Sequence, residues 1–162
     1  MSRLTAVALA LLAACGGSHA KPTEPPTPLV WKDLNLDQRK QFMEDVVMPK
    51  AKAVFVAFDA EKFKDMDCKT CHGPGVDDGS FELPNPAIRP LPNSAEGWTK
   101  IMATDADFQR YTPFMAEKVE PMMTDLLHLT PFDPATKTGE FSCMNCHQMV
   151  DENGQVAPPV TD

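Results

Sequence analysis

The chain has only four histidines, and two of them close the same five-residue pattern, CKTCH at 68–72 and CMNCH at 143–147. In each pattern two cysteines stand three apart and the histidine follows the second at once. Three residues make about one helical turn, so both thiols can face one side, and a histidine four after the first cysteine projects on that side too. A segment built in this way can grip one planar group at two points and set an imidazole against its centre. Two such grips in 162 residues constrain the fold more than any other feature of the sequence.

Covalent haem attachment needs this spacing. The thiols add across two vinyl groups of the macrocycle and the imidazole nitrogen binds iron, so the motif reads as a c-type haem site. The candidate attachment residues are Cys68, Cys71, Cys143 and Cys146, with His72 and His147 as proximal iron ligands and two haem c as cofactors. A pair of disulfides, a zinc site built from the two CxxC pairs and a redox dithiol are the alternatives. Zinc leaves His72 and His147 unexplained, and the sequence lacks the βαβ pattern expected around a thioredoxin-like dithiol.

The fifth cysteine, Cys15, ends the segment MSRLTAVALALLAAC, which has a basic start at Arg3 and an apolar run over 4–14. Such a run suits an export signal and is too short to span a bilayer. Leu12, Ala13, Ala14 and Cys15 resemble the lipobox of bacterial lipoproteins. The resemblance implies a signal peptide over 1–14, lipidation at Cys15, and an exported protein anchored at the membrane and facing the periplasm. Gly16 does not distinguish inner from outer membrane, and ordinary cleavage near Ala20 is the alternative. On the lipobox reading no cysteine is left over.

Residues 15–30 follow as a lipidated cysteine and a proline-rich tether, with His19 solvated in it. A domain is expected over 31–150 and a polar tail over 151–162. Within the domain, Ala51, Val54, Phe55 and Phe58 show helical spacing, and helix starts are expected at Asp37, at Ser94 and at Thr112 before Pro113. The fold class is therefore all-α, two repeated helix–loop–CxxCH units with long Pro/Gly-rich loops. The loop 73–93 is expected to divide unit one, about 36–93, from unit two, about 94–150. FMEDVVMP at 42–49 and FMAEKVEP at 114–121 share Phe, Met, Val and Pro at the same offsets, and each precedes a CxxCH. Core packing is the default for Phe55, Phe58, Phe63, Phe81 and Trp98, which could also wall bound haem. With so small a core, the haem-free chain is expected to fold poorly.

With CKTCH and CMNCH, the chain resembles a dihaem c-type cytochrome. Over about residues 40–150, the proline-bearing, methionine-containing helix before each motif is similar to the haem units of photosynthetic reaction-centre-type cytochrome c subunits. It differs from them in having two motifs rather than four and longer spacers. The resemblance implies a distal methionine from the preceding helix. Counting back twenty residues from each first cysteine gives Met48 and Met123, the pair that better respects the family pattern; counting from the shared Phe-Met pair gives Met43 and Met115 as alternatives. His128, the only histidine of the folded region outside a motif, offers bis-His ligation instead.

The expected function is electron transfer without catalysis, one electron at a time. The formal charge is −8, and removing residues 1–14 with Arg3 takes it to −9. No Lys/Arg cluster suits a nucleic-acid backbone, so the expected partners are redox proteins with a basic docking patch and, through the anchor, the membrane. Oligomeric state is not readable. A small peroxidase-like enzyme or a haem-based sensor is the alternative; the first needs an open iron position in a polar pocket, the second an output domain.

Overall fold

The computed structural model describes residues 30–156. The leader, Cys15, most of the tether and residues 157–162 lie outside the described residues. In chain order the helices are α1 Leu36–Phe42, α2 Met48–Phe58, α3 Ala60–Phe63, α4 Cys68–His72, α5 Ala95–Thr104, α6 Ala106–Phe114 and α7 Glu120–Leu127. Two short strands, β1 Leu91–Pro92 and β2 Met149–Val150, pair in parallel, Leu91 opposite Met149. The fold is thus mainly α. No helix among the described residues is long and apolar enough to cross a membrane.

Two long rods organise the molecule. In the first, α1 runs through a π turn, Met43–Val47, into α2; in the second, α6 runs through a π turn, Met115–Val119, into α7. The shared prolines explain both turns. Pro49 and Pro121 are the second residues of α2 and α7, where proline has no N–H for the carbonyl four residues back and crowds it. The preceding turn widens, so that Met48 N–H reaches Met43 O and Glu120 N–H reaches Met115 O, five residues back. The two FM…P segments therefore share one local structure. Their packing is reciprocal too: α2 lies against the second π turn and α7 against the first.

Two apolar clusters result. One joins Ala51, Phe55, Phe63, Met66 and Phe114. The other joins Val47, Leu126, Leu127 and Phe141. Each draws residues from both rods.

Two expected helix starts are corrected. The first rod starts at Leu36, because Asn35 and Gln38 cap it reciprocally and Asp37 falls inside the first turn. Thr112 and Pro113 do not begin a helix; Asp105 caps α6 seven residues earlier, accepting from Phe108 N–H, and the helix carries Pro113 within it. Ser94 does cap α5 as expected. The loop 73–93, which lies between the halves in sequence, bonds to the second: Asn85 N–H, Leu91 N–H and Asn93 N–H donate to Cys146, Gln148 and Val150 carbonyls. Order also continues past Val150: Asp151 Oδ1 accepts from Asn153 and Gln155 N–H, closing a turn at the start of the expected tail.

Candidate functional site

Each CxxCH begins on a reciprocal cap made partly from the motif's own middle residues. Asp67, just before Cys68, accepts from Lys69 N–H at 2.9 Å, while Thr70 Oγ1 accepts from Asp67 N–H at 3.2 Å. Ser142, just before Cys143, accepts from Met144 N–H at 3.3 Å, while Asn145 Oδ1 accepts from Ser142 N–H at 2.7 Å. The caps satisfy amides that a helix start leaves bare. They fix the turn on which both thiols sit. The first motif is α-helical; the second is a tight 3₁₀ turn, Cys143–Asn145, closed by His147 N–H on Cys143 O at 2.9 Å.

The two histidines are held alike. His72 Nδ1 lies 3.0 Å from Phe81 O, and His147 Nδ1 lies 2.8 Å from Arg89 O. A carbonyl only accepts, so Nδ1 donates and the lone pair rests on Nε2. Both acceptors belong to the one loop that joins the halves. Arg89 is itself pinned, its guanidinium on the Asp105 carboxylate and 4.8 Å above the Phe108 ring. Phe81 sits edge-on to the His72 ring at 5.6 Å.

Between those acceptors lies Asn85, with no exposed surface. Its N–H bonds Cys146 O at 3.0 Å and its Oδ1 accepts from Ala87 N–H at 2.8 Å. Its side chain presses on Gly73, the residue after His72. A Cβ at Gly73 would stand 2.2 Å from Asn85 Oδ1, and φ there is +54°, so glycine is required on both counts. Asn85 Nδ2 meets no acceptor.

Cys68, Cys71 and Cys146 are half-buried and Cys143 is exposed. Burial, with Cys146 and Cys68 nearby, pushes Cys71 up to about 12, and burial beside Cys143 pushes Cys146 up to about 11. Cys143 is raised by burial and by Glu120, whose carboxylate lies 3.8 Å from its Sγ. A redox dithiol works through a lowered thiol pKa, and these shifts run the other way. The four cysteines are free, and among the described residues no three His, Cys, Asp or Glu side chains converge as a zinc site requires.

The candidate distal residues divide between the clusters. Met48 and Met115 pack in the cluster that includes Cys71, and Met43 and Met123 in the one that includes Cys146. Met48 and Met123 thus share a cluster with a cysteine of the motif that follows their own rod, whereas Met43 and Met115 share one with a cysteine of the other rod's motif. His128 is in neither cluster; it ends α7 in the left-handed region, φ +53°, exposed. Phe55 and Phe63 lie in the core with Cys71, and Trp98 stacks edge-on to Phe108 instead.

The capping residues were within reach of the sequence, as D-C-K-T and S-C-M-N at the motif starts. Asn85 and the Phe81 and Arg89 carbonyls carried no such signal. No family model, curated protein or solved structure matches the chain.

Proposed function

We propose that this chain is an electron carrier that binds two haem c covalently, one through Cys68, Cys71 and His72 and one through Cys143, Cys146 and His147. The observation that carries this reading is the matched pair of imidazole–carbonyl bonds: in each motif Nδ1–H is tied to backbone and Nε2 is left to ligate, beside two thiols one turn apart. Such an outer bond fixes the tautomer of a metal-binding histidine and raises its basicity. The donor set therefore fits the group the motifs call for.

Bound haem would supply a reversible one-electron ferrous/ferric couple. The chain's own residues do the rest. Asp67, Thr70, Ser142 and Asn145 keep each thiol pair on one turn. Conversion of the thiols to thioethers would place no charge beside the apolar clusters, against which Cys71 and Cys146 pack. On the distal side, Met43 and Met115 are the candidate methionines at equivalent places in the two rods, each opening a π turn and each packed in the cluster that holds the opposite motif's second cysteine. Met115 is therefore assigned to the first site and Met43 to the second, ahead of Met48 and Met123, so that each rod serves the other's haem. Acylated Cys15 and the proline-rich tether would hold the acidic domain at a periplasmic membrane face, within reach of partners with a basic docking patch.

The test is production in a host that matures c-type cytochromes, followed by haem counting by pyridine haemochrome and spectroscopy of both redox states. Two covalent low-spin haems per chain are expected. Met115→Ala should convert only the first and Met43→Ala only the second to high spin, with Met48→Ala and Met123→Ala leaving both low-spin. A high-spin haem in the unmodified protein, together with peroxide turnover, would replace the carrier by an enzyme. No covalent haem would end the reading altogether.

A further inference from the structure

The haem reading treats the motifs as two sites, yet a single loop supports both histidines. Phe81 O, Asn85 and Arg89 O follow at four-residue intervals, and they take up His72, the backbone of Cys146 and His147 in turn. Asn85 touches the second motif and the residue that follows the first. Its backbone bonds Cys146 O and bridges His147, while its side chain packs against Gly73 so closely that no Cβ fits there. Oδ1 is engaged with Ala87 N–H, which turns the chain toward Arg89. A wholly buried amide whose Nδ2 finds no acceptor is retained against a cost in solvation.

From this placement, and resting on the haem reading above, we propose that Asn85 is a positioning residue shared by both proximal histidines, so that the two irons are tuned together through one side chain. The physical route is the pair of Nδ1–H···O=C bonds. When the loop is held, both carbonyls are aimed at their imidazoles, the imidazoles are more basic, and ferric iron is favoured at both centres. When the Asx turn at Asn85 is lost, the loop relaxes toward Phe81 and Arg89 alike. Both reduction potentials then rise.

The experiment uses the full-length matured protein and three forms: unmodified, Asn85→Ala and Asn85→Ser. Serine can replace the bond to the N–H two residues on, and alanine cannot. Haem counting confirms two haems in each form before spectroelectrochemical titration resolves the two couples. Proton NMR of the ferric protein follows each proximal Nδ1–H. The alanine variant should raise the ratio of reduced to oxidised iron at fixed potential about threefold or more at both centres, about 28 mV each at 59 mV per tenfold for one electron. It should also move both Nδ1–H resonances, with the serine variant falling between it and the parent. If Asn85→Ala yields no dihaem protein, the serine variant alone must still shift both centres in the same direction. A shift at one centre only, or at neither, overturns the proposal while leaving the haem reading intact. An unmodified protein without covalent haem fails the haem reading instead, and the two failures cannot be confused.

Discussion

Replacing Phe55 by alanine should be the most damaging single truncation in the core. The side chain is 6% exposed and sits at the junction of both rods, edge-on to Phe63 at 4.9 Å and to Phe114 at 5.1 Å. Truncating a buried phenylalanine costs about 3–5 kcal/mol in transfer and cavity terms. Each of the two ring pairs contributes about 0.5–1.5 kcal/mol within that loss. Against a total stability of about 5–15 kcal/mol for a domain, such a loss consumes a large part of the margin. The assay is equilibrium unfolding in urea, followed by far-UV circular dichroism on the matured protein. With a slope of about 2 kcal/mol per molar, the midpoint should fall by about 2 M. Leu36→Ala, at a side chain 51% exposed, is the control and should shift stability by less than about 0.5 kcal/mol. Because Cys71, Met48 and Met115 share the Phe55 cluster, spectral changes should, on the proposed haem reading, be confined to the first site. A loss below about 1 kcal/mol, or equal changes at both haems, would refute the placement of Phe55 at the centre of the first cluster.

Other expectations concern surface and caps. His128→Gly should stabilise the protein by about 0.5–1 kcal/mol, since glycine adopts the left-handed end of α7 without the penalty His128 bears; both haem spectra should stay unchanged, and a spectral change would reinstate His128 as a ligand. Asn145→Ala removes one reciprocal bond of the second motif and should cost about 1 kcal/mol by urea titration, with haem attachment yield reduced at Cys143 and Cys146 only. Glu140 is held down from 4.5 to about 2, first by the Thr130 hydroxyl and N–H and then by Lys32. Its contribution is thus present above pH 4.5 and lost as pH falls from there toward 2. Melting temperatures of the parent and Glu140→Gln should differ at neutral pH and converge across that interval; a gap that persists at pH 2 would refute the assignment.

What the sequence could show was local. CKTCH and CMNCH declare their spacing outright, and the FM…P repeat marks two equivalent helical segments. That these segments contain π turns was legible only in part: proline forbids the normal bond, but the chain could have kinked or ended instead. Asn35 and Asp37 both suit a helix start in sequence, and the Gln38 side chain, bonding back to Asn35 N–H, decides between them. The partners of the loop 73–93 were not legible for a related reason. Glycine and proline density reports that a stretch will not be helix; it carries no information on which distant amides that stretch will pair with. Asn85 meets Cys146 across 61 positions of sequence, and no local pattern encodes such a pairing.

The interlock has a further consequence for how the halves behave apart. The second motif takes its histidine acceptor from Arg89 and its apolar surroundings partly from Phe42, Met43, Val46 and Val47, all of which precede residue 94. The first motif takes Tyr111, Phe114, Met115 and Val119 from the second half. Neither half holds a complete core, so residues 94–162 expressed alone should show no cooperative melt, and residues 16–93 likewise. Mixing the two should restore helicity and a single transition, because what each lacks is the surface the other presents. Circular dichroism and thermal melts of the separate and mixed halves would settle it. If residues 94–162 melt cooperatively on their own, the haem units are separable after all, and the crossed pairing of Met43 and Met115 falls with the interlock that motivates it.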